Sequence, residues 1–208
     1  MLKSKPLPSS LRTLNRIPNV NQDILALFRQ TKALLDGHFV LRSGLHSRQF
    51  FQCALLLQHT DVASKVCGLL ADKLRQIPAT RVISPALGGL IVGHEVARSL
   101  QMPHIFAEKD DAGRLVLRRG FEIAPGDQFI VVEDVVTRGG RVQETLEIVR
   151  SRGAGVAAVA CLVDRSGGQH PDFGAPFISL TQLEVETFPP DQIPPDLAAI
   201  PAIKPGSK

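Results

Sequence analysis

Between Arg81 and Leu180 the chain alternates between two hydrophobic patterns. Short, mostly apolar runs predict buried strands: RVIS (81–84), HIFAE (104–108), QFIVVED (128–134), VAAVACLVDR (156–165) and FISL (177–180), the last strand expected. Between them, LIVGHEVARSL (90–100) and Arg141–Arg152 repeat apolar residues every three or four positions and predict helices. This alternation predicts an α/β fold, a mostly parallel central sheet flanked by helices on both faces.

Upstream the pattern differs. From Asn21, the residues Ile24, Leu27, Phe28, Leu34 and Leu35 share one helical face, and Asp36-Gly37 reads as its stop. HFVLRSGLHSRQFF reads as a strand, a Ser43-Gly44 turn, and a second strand through Phe50 and Phe51. Residues 61–76 form another amphipathic helix, with Val62, Val66, Leu69, Leu70 and Leu74. PALGG (85–89) is a tight loop, and 109–120 is a polar, charged, glycine-containing one. From Phe188 onward there are six prolines in 21 residues, which predicts an extended tail lying on the surface or on a partner. The expected organisation is a flexible arm (1–20), one domain (21–187) and a Pro-rich tail (188–208).

Composition narrows the possibilities. The basic start, MLKSKPLPSSLRTLNR, has no acid and no continuous apolar core; it reads as a disordered arm or a transit peptide rather than a secretory signal. No apolar run approaches the ~18 residues of a membrane span. Cys53, Cys67 and Cys161 are odd in number, far apart and set among apolar neighbours, which predicts buried thiols in a reducing, cytoplasmic setting rather than disulfides or a zinc site. The net charge of +4 favours an anionic ligand. Without a basic run, and with neither Trp nor Tyr for base stacking, it does not point to nucleic acid.

The densest chemistry lies in IVVEDVVTRGGRVQET (130–145). Glu133 and Asp134 end a buried strand, where open α/β sheets collect their ligands. Two buried acceptors side by side need hydroxyls, cations or N–H groups, and the vicinal hydroxyls of a sugar suit them. Gly139 and Gly140 then open a helix whose free N–H groups and dipole favour a phosphate. The residue types therefore describe a ribose-phosphate site, although solvated acids followed by a capped helix would give the same pattern. The spacing fits neither the P-loop nor the dinucleotide fingerprint.

VVEDVVTRGG resembles the motif of the type I phosphoribosyltransferases that binds 5-phosphoribosyl 1-pyrophosphate (PRPP). GHFVLRSGLHSRQFF, SPALGG, LRRGFEI and LVDRSGG, in that order, resemble the orotate phosphoribosyltransferases, particularly their compact bacterial branch, over roughly residues 35–206. The resemblance implies the type I fold, with a small hood built from the N-terminal segment. It implies that Glu133 and Asp134 hold the ribose hydroxyls, that Thr137, Arg138, Gly139, Gly140 and Arg141 hold the 5-phosphate, and that Val135 and Val136 belong to the same PRPP-binding run. Ala86, Leu87, Gly88 and Gly89 would bind pyrophosphate through backbone N–H groups. Arg42, Phe50, Phe51, Thr137 and Arg165 would surround orotate, whose carboxylate suits a forked guanidinium. Lys109, Arg114 and Asp134 would carry the catalysis, stabilising an oxocarbenium-like transition state and the leaving pyrophosphate. Mg²⁺ would ride on PRPP oxygens and water, without an all-protein cage. A homodimer is implied, with the 108–120 loop reaching the neighbouring site, and no nucleic-acid or membrane partner.

The match has departures. The mobile loop of many orotate enzymes reads R-K-x-x-K-x-H; here Lys109 is kept, Ala112 replaces the second lysine and Arg114 stands at the histidine. Gly88 takes the place of a lysine that many relatives carry, and Arg138 and Arg141 replace small or hydroxyl residues of the phosphate turn. Either arginine would strengthen phosphate binding or fill the pocket. Two other readings follow: a phosphoribosyltransferase for another nucleobase, or a non-catalytic PRPP-binding regulator. Among smaller signals, His38 and His46 read as structural, and Asp164-Arg165 as a substrate contact or a plain salt bridge.

Overall fold

The computed structural model describes residues 20–41 and 43–205, with side chains from Asp23 onward; the arm before Val20 and Arg42, an expected orotate contact, lie outside them. The first helix, α1 (Val20–Gln30), buries Ile24, Leu27 and Phe28. It ends sooner than the pattern predicts. The Thr31 hydroxyl donates to the Leu27 carbonyl at 2.8 Å, and Lys32 takes a left-handed φ of 58°. Leu34 and Leu35 therefore belong to a strand, β1 (Leu34–Val40), paired antiparallel with β2 (His46–Phe51). Asp36-Gly37 is not a helix stop. The β1–β2 register shifts between Asp36 and Phe39, and a Cβ on Gly37 would lie 3.3 Å from the Phe39 ring, so the glycine accommodates a bulge.

Beyond the hairpin come α2 (Ala54–Leu57), α3 (Thr60–Leu74), β3 (Arg81–Pro85), α4 (Gly88–Leu100), β4 (His104–Lys109), β5 (Leu115–Leu117), β6 (Gln128–Val136), α5 (Gly140–Arg150), β7 (Gly155–Asp164) and β8 (Phe177–Gln182). They form a six-stranded sheet of order β5-β4-β3-β6-β7-β8, parallel except for β5. Alternate residues of each central strand face opposite layers. Val82, Ile130, Val132 and Leu162 pack in one core with α3 and α4; Ile83, Phe129, Val131 and Val159 pack in another with α5. That is why these strands read as continuous apolar runs. Each such side chain contributes about 1.5–3 kcal/mol by burial.

The polar 109–120 stretch is a hairpin rather than an open loop. Asp110 accepts the N–H groups of Ala112 and Arg114, each at 2.9 Å, and Gly113 takes a φ of 77°, so the chain turns back as β5 beside β4. The C-terminal stretch also acquires structure. FISL is not the last strand: β9 (Thr187–Phe188) pairs with β2 and gives the hood its third strand, so the hood is built from both ends of the chain. Pro194 and Pro195 start a short helix, α6 (Pro195–Ala198), which buries Leu197. Among the described residues no helix is long and apolar enough to cross a membrane.

Candidate active site

The carboxyl ends of β3, β6 and β7 converge under the hood, and β6 delivers Glu133 and Asp134 there. Glu133 is 7% exposed and Asp134 half-buried. Asp134 N–H donates to Glu133 Oε1 at 3.0 Å, and Val135 N–H to Asp134 Oδ1 at 2.8 Å. Burial, and then the adjacent Asp134 charge, push the Glu133 carboxyl well above its ordinary value; burial also raises Asp134. The pair is thus a costly arrangement of ionisable groups, as expected of a ligand site rather than of solvated strand-end acids.

The start of α4 presses onto this pair. A Cβ on Gly88 would fall 2.7 Å from Asp134 Oδ1, and one on Gly89 would fall 2.9 Å from Glu133 Oε1 and 3.0 Å from the Val132 carbonyl. The lysine absent at Gly88 therefore has no room with α4 in this position. Ala86 N–H is taken by the Ala107 carbonyl at 2.7 Å, so it anchors the loop to β4 instead of facing a ligand. That is one fewer donor than the sequence reading assigned to pyrophosphate. No side chain caps α4; Leu90 N–H already donates to the Leu87 carbonyl at 3.1 Å, so the first turn, behind the exposed Leu87 at its N-cap, offers an anion the N–H groups of Gly88 and Gly89. The Ala86–Leu87 peptide is cis.

The second glycine turn lies at the end of β6. Gly139 is the N-cap of α5 at φ 73°, and its missing Cβ leaves room for the Phe173 ring, which would stand 3.0 Å away. Again no side chain caps the helix. A cavity of about 290 Å³ opens here, lined by Glu133, Val135, Val136, Thr137, Gly139, Gly140, Arg141, Val142 and Glu144. Thr137 also lines a larger cleft of about 1050 Å³ beneath the hood, with Phe50, Phe51, Arg138, Arg165 and Lys204. The two unusual arginines therefore divide. Arg141 lines the phosphate-turn cavity, tied to both Glu144 oxygens at 2.9 and 2.8 Å and to the Gly113 carbonyl at 3.4 Å; Arg138 lines the larger cleft.

Among the described residues the larger cleft has no carboxylate in its lining. Arg165 leaves β7 with its backbone N–H on the Val136 carbonyl, and its buried Nε has no partner among the described residues. Burial lowers its guanidinium from the ordinary value, though an arginine remains charged. Asp164 does not pair with it; that carboxylate accepts Ser166 N–H at 2.8 Å and the Gln182 amide at 3.4 Å. Elsewhere Arg29, Arg48, Arg75, Arg81, Arg98, Arg114, Arg119 and Arg141 each face a carboxylate. Phe51 belongs to the core, edge-on to Phe28 at 4.9 Å, while half-buried Phe50 leans on Phe39.

Of the expected catalytic cations, Arg114 is held by Asp110 at 3.2 Å, in its own turn. Lys109 ends β4 exposed, two residues past the strand's last partner in β3. The hairpin leans on its own α5, where Leu115 N–H donates to Glu144 at 3.2 Å. The three cysteines are buried and free, and burial raises each thiol, Cys67 to about 12. Sequence reasoning missed Lys204 and Gln169 as cleft residues. Gln169 directly follows the LVDRSGG segment and was within reach; nothing local marks Lys204.

Similarity to known proteins agrees with this geometry. A model of the phosphoribosyl transferase domain family matches residues 54–191. The orotate phosphoribosyltransferase of Carboxydothermus hydrogenoformans is 50% identical over 188 residues, covering 89% of this chain and 97% of that protein. Orotate phosphoribosyltransferase 2 of Mesorhizobium japonicum is 46% identical over 189 residues, covering 89% and 97%. Among solved structures, orotate phosphoribosyltransferase from Aeropyrum pernix aligns with a TM-score of 0.66 at 26% identity, covering 77% of this chain and 93% of that one.

Proposed function

The chain belongs to the orotate phosphoribosyltransferase family, and we propose that its cleft joins the phosphoribosyl group of PRPP to orotate, giving orotidine 5-phosphate and pyrophosphate in pyrimidine synthesis. One observation carries the assignment of roles. A cleft lined by Arg138, Arg165 and Lys204, and by no acid among the described residues, shares Thr137 with a glycine turn that begins at two buried carboxylates. An anionic, flat acceptor suits the first cavity and a ribose phosphate the second. A neutral purine would leave the buried Arg165 Nε without a partner, at a cost of about 1–3 kcal/mol.

The residues then divide the work. The uncapped first turn of α5 and the Gly139–Gly140 backbone hold the 5-phosphate, while Glu133 and Asp134 accept the ribose hydroxyls. As the bond from C1 to pyrophosphate breaks and the bond to the pyrimidine nitrogen forms, positive charge grows on the ribose. An ionised Asp134 beside it lowers the barrier. The Leu87–Gly89 backbone at the head of α4, with Lys109 from β4, receives the leaving pyrophosphate.

Two adjacent carboxylates are too few for a magnesium cage, and among the described residues no three His, Cys, Asp or Glu side chains cluster. The donor set fits Mg²⁺ carried by PRPP oxygens and water; Glu133 and Asp134 would hold the ribose of that complex, and the ion would supply neutralising charge for the departing pyrophosphate. A homodimer, with the 108–120 hairpin meeting a neighbouring site, and a cytoplasmic location complete the proposal.

The test is PRPP consumption with Mg²⁺ against orotate, uracil, hypoxanthine and xanthine. Turnover with orotate alone is expected. Preference for another base would sink the proposal, and PRPP binding without any turnover would favour a regulatory relative.

A further inference from the structure

The C-terminal segment is held to the hood by a set of backbone and side-chain bonds that no feature of the ribose-phosphate site requires. Val40 N–H donates to the Ile203 carbonyl and Ile203 N–H to the His38 carbonyl, both at 2.8 Å, making a parallel bridge onto β1. The buried His38 ring places Nδ1 2.8 Å from the Ile200 carbonyl and Nε2 2.6 Å from His46 Nδ1. Earlier in the fold-back, α6 seats Leu197 at 1% exposure, and Asp196 takes both terminal guanidinium nitrogens of Arg48, at 2.5 and 3.1 Å.

What this clamp delivers is Lys204, one residue beyond the bridge. Lys204 and Pro205 form part of the wall of the larger cleft, with Arg138, Arg165, Phe50 and Phe51. Among the described residues no carboxylate lines that cleft, and Lys204 has no ion pair. A lysine and an arginine in the lining of one cleft, with no acid among its described lining residues, are complementary to an anion. The aromatic side chains in the same wall suit a flat ring attached to that anion.

We propose that Lys204, presented by the folded-back C-terminal segment, is a substrate-contact residue that reads the carboxylate of the acceptor pyrimidine together with Arg165. The proposal rests on the orotate assignment above and adds a specificity residue from a part of the chain that lies outside the domain match at 54–191. It makes the C-terminal segment a wall of the acceptor pocket. The alternative occupant is the pyrophosphate of PRPP, which a lysine would also attract, and the two differ in which Michaelis constant responds.

The experiment measures KM for orotate and for PRPP separately in the full chain and in Lys204→Ala, Lys204→Glu and Lys204→Arg. Because Lys204 is exposed, its replacement leaves the melting temperature where it is. Lys204→Ala is expected to raise KM for orotate about three- to tenfold, a charge-assisted contact trimmed by solvent. Lys204→Glu raises it further and Lys204→Arg restores it, while KM for PRPP stays within about twofold. The Lys204→Ala effect shrinks at high salt. Orotate KM unchanged in both Lys204→Ala and Lys204→Glu would overturn the inference, as would a rise confined to KM for PRPP. In either case a wild-type chain that turns over orotate leaves the functional assignment standing. A wild-type chain inactive with orotate overturns both.

Discussion

Replacing Gly89 with alanine tests how α4 meets the carboxylate pair. The added Cβ would sit 2.9 Å from Glu133 Oε1, 3.0 Å from the Val132 carbonyl and 3.2 Å from Pro85 Cδ, where ordinary contact begins at 3.4 Å. Something must therefore give by roughly 0.5 Å. The Val132 carbonyl cannot, because Val132 is a fully buried member of β6 paired with Ala160 in β7. Either the head of α4 lifts off the sheet or Glu133 leaves its place. Overpacking of this kind costs about 1–3 kcal/mol, and each kcal/mol lowers Tm by about 2–4 °C in a domain of this size. A shift of half an ångström in the groups proposed to hold the ribose and pyrophosphate should lower kcat/KM for PRPP by about ten- to a hundredfold. Thermal melting and initial rates measure the two effects. Gly88→Ala is the control: the three atoms nearest its Cβ all belong to the Asp134 carboxylate, the closest at 2.7 Å, so it should damage kcat/KM more than Tm. A Gly89→Ala protein with wild-type Tm and wild-type kcat/KM would refute the packing described here.

Glu133→Gln should stabilise the unliganded protein. A buried acid with a raised folded-state value holds more protons folded than unfolded between its ordinary and raised values, so stability falls as pH climbs through that window. The glutamine variant lacks that loss; its Tm should match wild type at acid pH and exceed it by a few degrees at pH about 8, while PRPP turnover drops. Equal pH slopes in the two proteins would contradict this. Arg165→Leu removes a half-buried guanidinium whose buried Nε is unpaired among the described residues; KM for orotate should rise about ten- to a hundredfold with Tm unchanged or raised, and steady-state kinetics with a melt decide it. Glu144→Ala frees Arg141 and the Leu115 N–H together, so the 110–114 turn should be cut by trypsin severalfold faster, and an unchanged digestion rate would show that the hairpin is held by something else.

Much of the fold could be read locally, and the misreadings have physical causes. The central strands were legible because a strand buried on both faces must be apolar at every position, as Phe129, Ile130, Val131 and Val132 are. The predicted helix face from Ile24 to Leu35 failed because a buried leucine fits either period, and the Thr31 hydroxyl and the left-handed Lys32 decide where the helix stops. In the candidate site, Glu133, Asp134 and the glycine turn were legible for the same local reason: a strand end, two acids and a helix start are one continuous stretch of chain. Arg165 was legible only through resemblance, since its unpartnered Nε depends on Asp164 being engaged by Ser166 and Gln182.

Local sequence was enough for most of the strand and helix periods, the absence of an eighteen-residue apolar run, and the placing of two acids at a strand end before a glycine-started helix in residues 130–145, because each follows from hydrogen-bond geometry and burial within a few consecutive residues. Tertiary structure decided what long-range packing controls. It set α4 against β6 closely enough that Gly88 and Gly89 admit no side chain, and it sent Arg138 and Arg141 to different cavities. It also brought Lys204 back across the hood to the pocket of Arg165. Contacts between residues dozens of positions apart depend on which surfaces dock, and no local period encodes that docking.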